Sequence, residues 1–166
     1  MVKKGLVVAG LAGGSGKSVV SVGLTVAFTR RGEKVVPFIK GPDYIDAGWL
    51  HLPARNKCYN LDPYLLSRET LISSFYHRSQ TAERVIVEGN RGIFDGVNVE
   101  GGYSTADLAV MLDLPVLLVV NCTKTTRTVA AMVLGCLQFD KKLKIQGVIL
   151  NKIGTERQRR LVAECV

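Results

Sequence analysis

The chain has 166 residues, of which 47% are hydrophobic and 22% are charged, as expected for one folded domain and not for a disordered segment. Its net charge is +8, but the basic residues are dispersed, so a solvated surface is the simpler interpretation and a small, highly anionic ligand the functional alternative; we expect no nucleic-acid partner. The apolar runs are too short to span a membrane, and four scattered cysteines without a C-x-x-C pair indicate a reducing cytoplasm, with neither disulfides nor a zinc site.

Five short apolar runs are predicted to be strands. They are continuous, as is typical of strands that are buried on both faces of a parallel sheet. Pro37, in the second run, removes one ladder hydrogen bond and indicates an edge strand or an irregular strand end. The predicted strands are Leu6–Ala9, Val35–Ile39, Val85–Val87, Val116–Val120 and Val148–Leu150.

Segments with helical spacing alternate with these strands, which predicts a doubly wound α/β fold with a mostly parallel sheet. Two long irregular stretches, Lys40 to Asp62 and Gly89 to Ser104, each follow a strand, where open α/β sheets bind their ligands. The predicted helix faces are Val20, Leu24, Ala27 and Phe28; Leu71, Ile72, Phe75 and Tyr76; and Val129, Met132, Val133, Cys136 and Leu137.

The stretch "VVAGLAGGSGKSVV", residues 7 to 20, is a near match to the phosphate-binding loop of nucleotide enzymes, with one residue more than the usual spacing. A predicted strand leads into glycines and then into a helix. In that context Gly13, Gly14, Ser15 and Gly16 bring backbone N–H groups to phosphate oxygens. Lys17 then reaches the β- and γ-phosphates, and Ser18 ligates magnesium.

Acidic residues follow two of the other predicted strands. Glu88 comes directly after Val85–Val87, and Asp43 and Asp46 lie in "IKGPDYID", beside Lys40. One acidic residue in a loop is commonly only solvated. Three of them at strand ends, together with a phosphate loop, favour a functional site that contains magnesium.

Several stretches together resemble the cobyrinic acid a,c-diamide synthase family, which includes the hydrogenobyrinic acid and nickel-sirohydrochlorin enzymes. They are "GLAGGSGKS", "PFIKGPDYIDAGW", "NLDPYLL", "VEGNRGIFDG", "STADLA" and "GVILNKIG", and they extend over nearly all of the chain. The shorter dethiobiotin synthetases share the longer loop, so the resemblance implies a P-loop NTPase fold of the dethiobiotin-synthetase-like type.

The resemblance implies an ATP- and Mg²⁺-dependent ligase that amidates the a and c acetate carboxylates of a cobyrinic-acid-type tetrapyrrole through an acyl phosphate. Lys17 and Lys40 then supply positive charge, and Asn151, in "ILNKIG", reads adenine. Asp43, Asp46 and Glu88 organise magnesium and the reacting carboxylate. The implied catalytic residues are Lys17, Lys40, Asp43, Asp46 and Glu88, and the implied metal ligands are Ser18, Asp43 and Glu88.

The resemblance further implies that residues 1–166 form one amidation domain, truncated at its C-terminus, and that a glutaminase domain, which supplies ammonia, is absent. We therefore expect no glutamine hydrolysis by this chain, in which only His51 and His77 are available to activate a cysteine. A cytoplasmic protein without a membrane partner is expected, with a homodimer as one possible assembly.

Two other functions were weighed: a dethiobiotin-synthetase-like ligase, and a regulatory P-loop ATPase that binds a partner. "GPDYID" and "NLDP" argue against both, and the region Ala9 to Leu11 lacks the second lysine of partition ATPases.

The roles of several single residues stay open. Tyr44 and Trp49 either stack on a flat macrocycle or pack in the core, Asn60 and Asp62 either cap the following helix or contact substrate, and Arg91 serves either substrate choice or the surface.

Overall fold

The computed structural model describes residues 5–99 and 101–166, and Glu100, inside the loop predicted after the third strand, lies outside this part. The described residues form six strands and six helices that alternate along the chain. No helix among them is long and apolar enough to cross a membrane. The strands are β1 (Gly5–Gly10), β2 (Val35–Lys40), β3 (Tyr59–Leu61), β4 (Arg84–Glu88), β5 (Val116–Asn121) and β6 (Ile145–Asn151); the helices are α1 (Lys17–Arg30), α2 (Ile45–Ala54), α3 (Arg68–Ser79), α4 (Thr105–Met111), α5 (Thr128–Phe139) and α6 (Glu156–Cys165).

The strands form one sheet in the order β3-β2-β4-β1-β5-β6, and every pair is parallel. All carboxyl ends therefore lie at the same edge of the sheet. The chain begins at the centre, moves outward through β2 and β3, and returns through β4 before it continues to β5 and β6. The order reverses at β1, so the loop after β1 lies where open α/β sheets form their ligand crevice.

Apolar side chains alternate between the two faces of the sheet. Val7 and Ala9 of β1 belong to the larger core, whereas Val8, between them, belongs to a smaller one. Helices α3 to α6 cover the larger core, and α1 covers the smaller one through Val20, Leu24 and Phe28. The predicted doubly wound sheet is therefore confirmed, with helices on both faces.

Helix α1 departs from its predicted apolar face. Its fully buried side chains are polar, namely Lys17, Ser21 and Thr25, one turn apart from each other. Ala27, predicted to be on the buried face, is exposed. The reason is that α1 begins at the edge of the sheet where the carboxyl ends of the strands lie. Its buried polar residues extend from that edge along the helix into the protein interior.

The five predicted strands correspond to β1, β2, β4, β5 and β6, and the three predicted helices to α1, α3 and α5, whereas β3, α2 and α4 were not predicted. The stretch from Lys40 to Asp62 was expected to be irregular, but it contains α2 and the three-residue β3. The edge strands are β3 and β6 and not β2, which corrects one of the two interpretations of Pro37. β3 pairs only with residues 38–40 of β2, so at Pro37 the strand is paired with β4 alone and one missing N–H is tolerated.

Candidate functional site

The phosphate loop lies between β1 and α1 at the carboxyl edge. The Ser15 hydroxyl donates to the carbonyl of Ala12 over 2.9 Å, which closes the turn. Gly16 has a left-handed backbone, with φ of 101°, and a Cβ there would lie 2.2 Å from Nδ2 of Asn151. Only glycine fits this position, both for its dihedral angle and for the close approach of Asn151.

Gly13 and Gly14 contrast with Gly16, because a Cβ on either would meet no atom within 4 Å. Both residues are exposed at the open side of the loop. Protein packing therefore does not require glycine at Gly13, and the free space is on the side where a ligand would approach the backbone N–H groups. This space is what a phosphate cradle needs.

Lys17 is the first residue of α1 and its side chain is buried. The ammonium group donates to the carbonyl of Ala12 over 3.2 Å and to the carbonyl of Arg91, in the loop after β4, over 2.9 Å. Burial lowers the pKa of Lys17, and the negative charges of Glu88, Asp46 and Asp95 oppose that shift. The Lys17 ammonium is thus held between the phosphate loop and the loop after β4, near three carboxylates.

Ser18 and Glu88 are joined by a hydrogen bond in which the Ser18 hydroxyl donates to Oε1 of Glu88 over 2.6 Å. Glu88 is only 2% exposed, and within the described part of the chain its Oε2 atom has no hydrogen-bond partner. Burial raises the pKa of Glu88; the Ser18 hydrogen bond lowers it, the charge of Asp46 raises it further, and nearby Ser21 and Lys17 lower it. A buried carboxylate oxygen without a partner is the group that a bound cation would satisfy.

The other predicted acidic residues occupy different positions around this pair. Asp46 lies close enough to affect the pKa values of both Lys17 and Glu88. Asp43 instead accepts hydrogen bonds at Oδ1 from the N–H groups of Ile45 and Asp46, at the start of α2. Among the described residues, no group of three His, Cys, Asp or Glu side chains is arranged to hold a metal. Ser18, Glu88 and Asp46 fit Mg²⁺, which takes one or two carboxylates and completes its shell with water and phosphate; a ligand role for Asp43 stays a prediction.

Asn151, predicted to read adenine, lies at the end of β6 against the phosphate loop. Its Nδ2 donates to the carbonyl of Ser15 over 2.8 Å, and its Oδ1 accepts from the N–H of Lys152. One amide N–H is left for another acceptor. Asn151 therefore fixes the loop in the structure, and its role toward adenine stays a prediction.

For four other residues the structure excludes one of the two open alternatives, and the role toward substrate stays a prediction. Tyr44 and Trp49 are 81% and 60% exposed, so core packing is wrong for both. Helix α3 is capped by Ser67, whose side chain accepts from the N–H of Thr70, so the capping interpretation of Asn60 and Asp62 is wrong as well. Asn60 instead donates to the carbonyls of Gly41 and Asp43, and Asp62 accepts from the N–H groups of Tyr64 and Leu65.

Lys40 lies at the end of β2, on a cleft of about 540 Å³ between the loops that follow β2 and β4. Burial lowers the pKa of Lys40; the negative charges of Asp62 and Asp107 oppose this shift, and the positive charge of Arg91 adds to it. Asp95, which was not predicted as a site residue, lines the same cleft and affects the pKa of Lys17. Asp95 lies in "IFDG", seven residues after Glu88, and this spacing does not mark it as a site residue.

A second hollow, of about 440 Å³, lies at the opposite edge of the sheet, at the amino ends of β1, β4 and β5. None of the predicted site residues lines it. All of the predicted catalytic and nucleotide-binding residues instead lie at the carboxyl edge or in the loops that leave it.

Comparison with known proteins agrees with this geometry. A family model described as an AAA domain matches residues 59–165. A cobyrinate a,c-diamide synthase of Magnetococcus marinus is 46% identical over 92% of this chain and 32% of its own length. A second, from Dehalococcoides mccartyi, is 40% identical over 97% of this chain, and a hydrogenobyrinate a,c-diamide synthase of Brucella ovis is 42% identical over 96%. The chain spans about a third of the length of these curated relatives.

Two solved structures share the fold. Chloroplast FtsY from Physcomitrella patens matches 90% of this chain and 50% of its own, with a TM-score of 0.59 at 16% identity. The hydrogenase maturation factor HypB from Archaeoglobus fulgidus matches 88% of this chain and 81% of its own, with a TM-score of 0.50 at 12% identity. The P-loop NTPase fold and the resemblance to the a,c-diamide synthases are thus both confirmed, and the chain belongs to the AAA domain family whose model it matches.

Proposed function

We propose that this chain binds ATP with Mg²⁺ and transfers the γ-phosphoryl group to the a and c acetate carboxylates of a cobyrinic-acid-type tetrapyrrole, which ammonia then converts to amides. One observation carries the proposal. The Lys17 ammonium bridges the phosphate loop, at the Ala12 carbonyl, to the loop that lines the cleft, at the Arg91 carbonyl. A phosphoryl donor and a carboxylate acceptor would therefore meet at the same cation.

The reaction needs positive charge because it brings together two anions. A carboxylate is a poor electrophile, whereas an acyl phosphate loses phosphate readily when ammonia attacks its carbonyl carbon. Lys17 would leave its two carbonyl partners for the γ-phosphoryl oxygens, where charge develops in the transition state. Lys40, half-buried at the mouth of the cleft, would hold the acceptor carboxylate.

The nucleotide would lie over the loop from Gly13 to Ser18, with its phosphates in the free space at Gly13 and Gly14. Ser18, Glu88 and Asp46 would hold Mg²⁺, with Asp43 as a further candidate from its place beside α2. The ion supplies charge neutralisation on the phosphate oxygens. Asn151 would offer its remaining amide N–H to adenine.

Ammonia would come from another part of a longer protein, since the relatives are about three times as long as this chain. The cysteines with shifted pKa values are poor glutaminase nucleophiles. Burial raises the pKa of Cys58 to about 12, and burial also raises the pKa values of Cys122 and Cys136. At neutral pH these three would be thiols, whereas glutamine hydrolysis needs a thiolate.

The test supplies the purified chain with ATP, Mg²⁺, cobyrinic acid and ammonium, and measures ADP and amide products by mass spectrometry. The account predicts that ADP formation depends on cobyrinic acid and that amides form slowly. Glutamine in place of ammonium should give no glutamate. ADP formation that responds to 7,8-diaminononanoate with bicarbonate and not to cobyrinic acid would instead favour the dethiobiotin-synthetase-like alternative.

A further inference from the structure

The proposed function places one acceptor carboxylate near Lys17 and Lys40 but assigns nothing to the outer part of the cleft. This part is formed by the loop after β4 and by the segment around Tyr64. Among the described residues, the charged side chains that line the whole cleft are Lys40, Asp62, Arg91 and Asp95, two cations and two anions.

The anions and the cations differ in what they already bind. Asp62 accepts hydrogen bonds from two backbone N–H groups, and Oδ2 of Asp95 accepts from the N–H of Gly92 over 2.9 Å. In contrast, the side chains of Arg91 and Lys40 make no hydrogen bond or ion pair with any described residue. The cleft therefore offers two side-chain cations with all their donors free, whereas one oxygen of each carboxylate is already bonded to backbone N–H groups, and this difference favours an anionic ligand.

The backbone at Arg91 is left-handed, with φ of 51°, and Tyr103 across the cleft is left-handed too, with φ of 67°. Glycine would adopt either conformation without strain, whereas arginine and tyrosine adopt it at a cost. Strained residues cluster at ligand sites, because a side chain there is retained for what it contacts. Two of the six described non-glycine residues with positive φ lie on this cleft, and the contacts of their side chains must show what holds them there.

Two tyrosines form the remaining wall. Tyr64 and Tyr103 pack edge to face with ring centroids 5.7 Å apart, yet they are 64% and 44% exposed. They hold each other in place and leave flat apolar surface open to the cleft. An extended ring system would cover this surface.

We propose that Arg91 is a specificity-determining residue whose guanidinium binds a second, non-reacting carboxylate of the substrate while the substrate's ring system lies against Tyr64 and Tyr103. The inference rests on the proposed function. Its ligand class is a flat acid with at least two carboxylates. The Arg91 carbonyl accepts from Lys17 over 2.9 Å, so Arg91 lies next to the proposed phosphoryl-transfer centre. A guanidinium binds a carboxylate through two parallel hydrogen bonds, and so it would orient the substrate as well as attract it.

The experiment replaces Arg91 by glycine, because glycine suits a φ of 51° and the fold should be kept. The matched control is Arg55→Gly, which has the same side chain and a φ of 49° but lies at the end of α2, away from the cleft. Binding of cobyrinic acid is followed through the fluorescence of Trp49, with ATP binding measured separately. The fully methyl-esterified macrocycle serves as a probe without carboxylates.

Arg91→Gly should bind cobyrinic acid about 10- to 100-fold more weakly, the range expected for lost charge-assisted hydrogen bonds. It should keep ATP affinity within about twofold, bind the methyl ester as the parent does and unfold at the parent's temperature or above. Arg55→Gly should bind both ligands like the parent. Unchanged cobyrinic acid binding by Arg91→Gly, or an equal loss for the acid and the ester, would overturn the inference. A parent that binds ATP but not cobyrinic acid would instead overturn the proposed function.

Discussion

The two halves of the carboxyl edge are built in different ways. The phosphate-loop half, from Gly10 to Ser18, is held by its own hydrogen bonds and by Asn151, and a Cβ at Gly16 would collide with that asparagine. The cleft half is lined by the long loops after β2 and β4, and its two cations are unpaired among the described residues.

This difference corresponds to two tasks. Every reaction of a nucleotide enzyme needs the same phosphates in the same place, so the first half can be preformed. In the proposed function the second half would select one acid among many, and its specificity would depend on side chains that project from irregular backbone. Lys17 is the contact between them, through the carbonyl of Arg91.

Replacing Lys17 by alanine should have the largest effect, because Lys17 contacts both the phosphate-loop half and the cleft half. Loss of one such electrostatic contact typically costs about 3–4 kcal/mol, so we expect turnover to fall by about 10²–10³ and ATP affinity to fall with it. Calorimetric titration with ATP and steady-state ADP formation measure the two effects. Lys34→Ala removes the same charge at the opposite edge of the sheet and should change neither. Parent-like ATP binding by Lys17→Ala would show that the loop assignment is wrong.

Glu88→Gln should distinguish the contribution of Glu88 to magnesium-dependent turnover from its effect on stability. We expect Mg²⁺-dependent turnover to fall by about 10², because the glutamine side chain carries no charge. In a chelating buffer the same variant should be more stable than the parent at neutral pH. Because the folded-state pKa of Glu88 is raised, the parent loses stability as pH rises from the unfolded value, 4.5, through the folded value, and glutamine does not titrate.

Thermal unfolding of the parent and of Glu88→Gln across that pH window measures the difference. The stability advantage of the variant should grow as pH rises and become constant above the folded-state pKa. An advantage that does not change with pH would mean that Glu88 is ionised in the folded protein as readily as in the unfolded chain.

Asn151→Ala should have a smaller effect, and it tests the role of Asn151 in the phosphate-loop half. The lost hydrogen bond to Ser15 is worth about 1 kcal/mol, so affinity for ATP should fall roughly fivefold. If Asn151 also reads adenine, the loss for ATP should exceed the loss for GTP; if it only fixes the loop, both should fall equally. Asn121→Ala is the matched control, because Asn121 is the register partner of Asn151 and its side chain bonds only to Thr123.

The smallest effect is expected at Ser67, which caps α3 outside both halves. Ser67→Ala should cost about 1 kcal/mol of stability and lower the melting temperature by roughly 2–4 °C, with ATP binding unchanged. Asp62→Ala should leave α3 intact because its hydrogen bonds go to Tyr64 and Leu65. Equal loss of helicity in the two variants, measured by circular dichroism, would contradict this assignment of the cap.

The sequence predicts those features that depend on residues close together in the chain. A strand, glycines and a helix in succession specify the phosphate loop, and continuous apolar runs specify buried parallel strands. α2 was missed because Gly48 and Pro53 weaken its helical signal, although burial of Leu50 stabilises it in the fold. β3 has only three residues, too few for an apolar run to be visible.

The cleft was harder to predict because its parts are distant in the chain. Asp95 and Arg91 face Lys40 only because the order β2-β4-β1 brings the loops after β2 and β4 side by side. The buried polar line of α1 was also hidden, since Ser21 and Thr25 are unremarkable in a helix until a site lies beneath its first turn. Pairing of distant loops is set by tertiary packing, and periodicity does not report it.

The most direct test of the central claim, that this chain transfers a phosphoryl group to a tetrapyrrole carboxylate, is positional isotope exchange in ATP. ATP labelled with ¹⁸O at the β–γ bridge is incubated with the chain, Mg²⁺ and cobyrinic acid, without ammonia. Reversible acyl phosphate formation frees the β-phosphate of ADP to rotate, so we expect the label to move to β non-bridging positions only when cobyrinic acid is present. If ATP and cobyrinic acid both bind and the label stays in the bridge, the claim is contradicted.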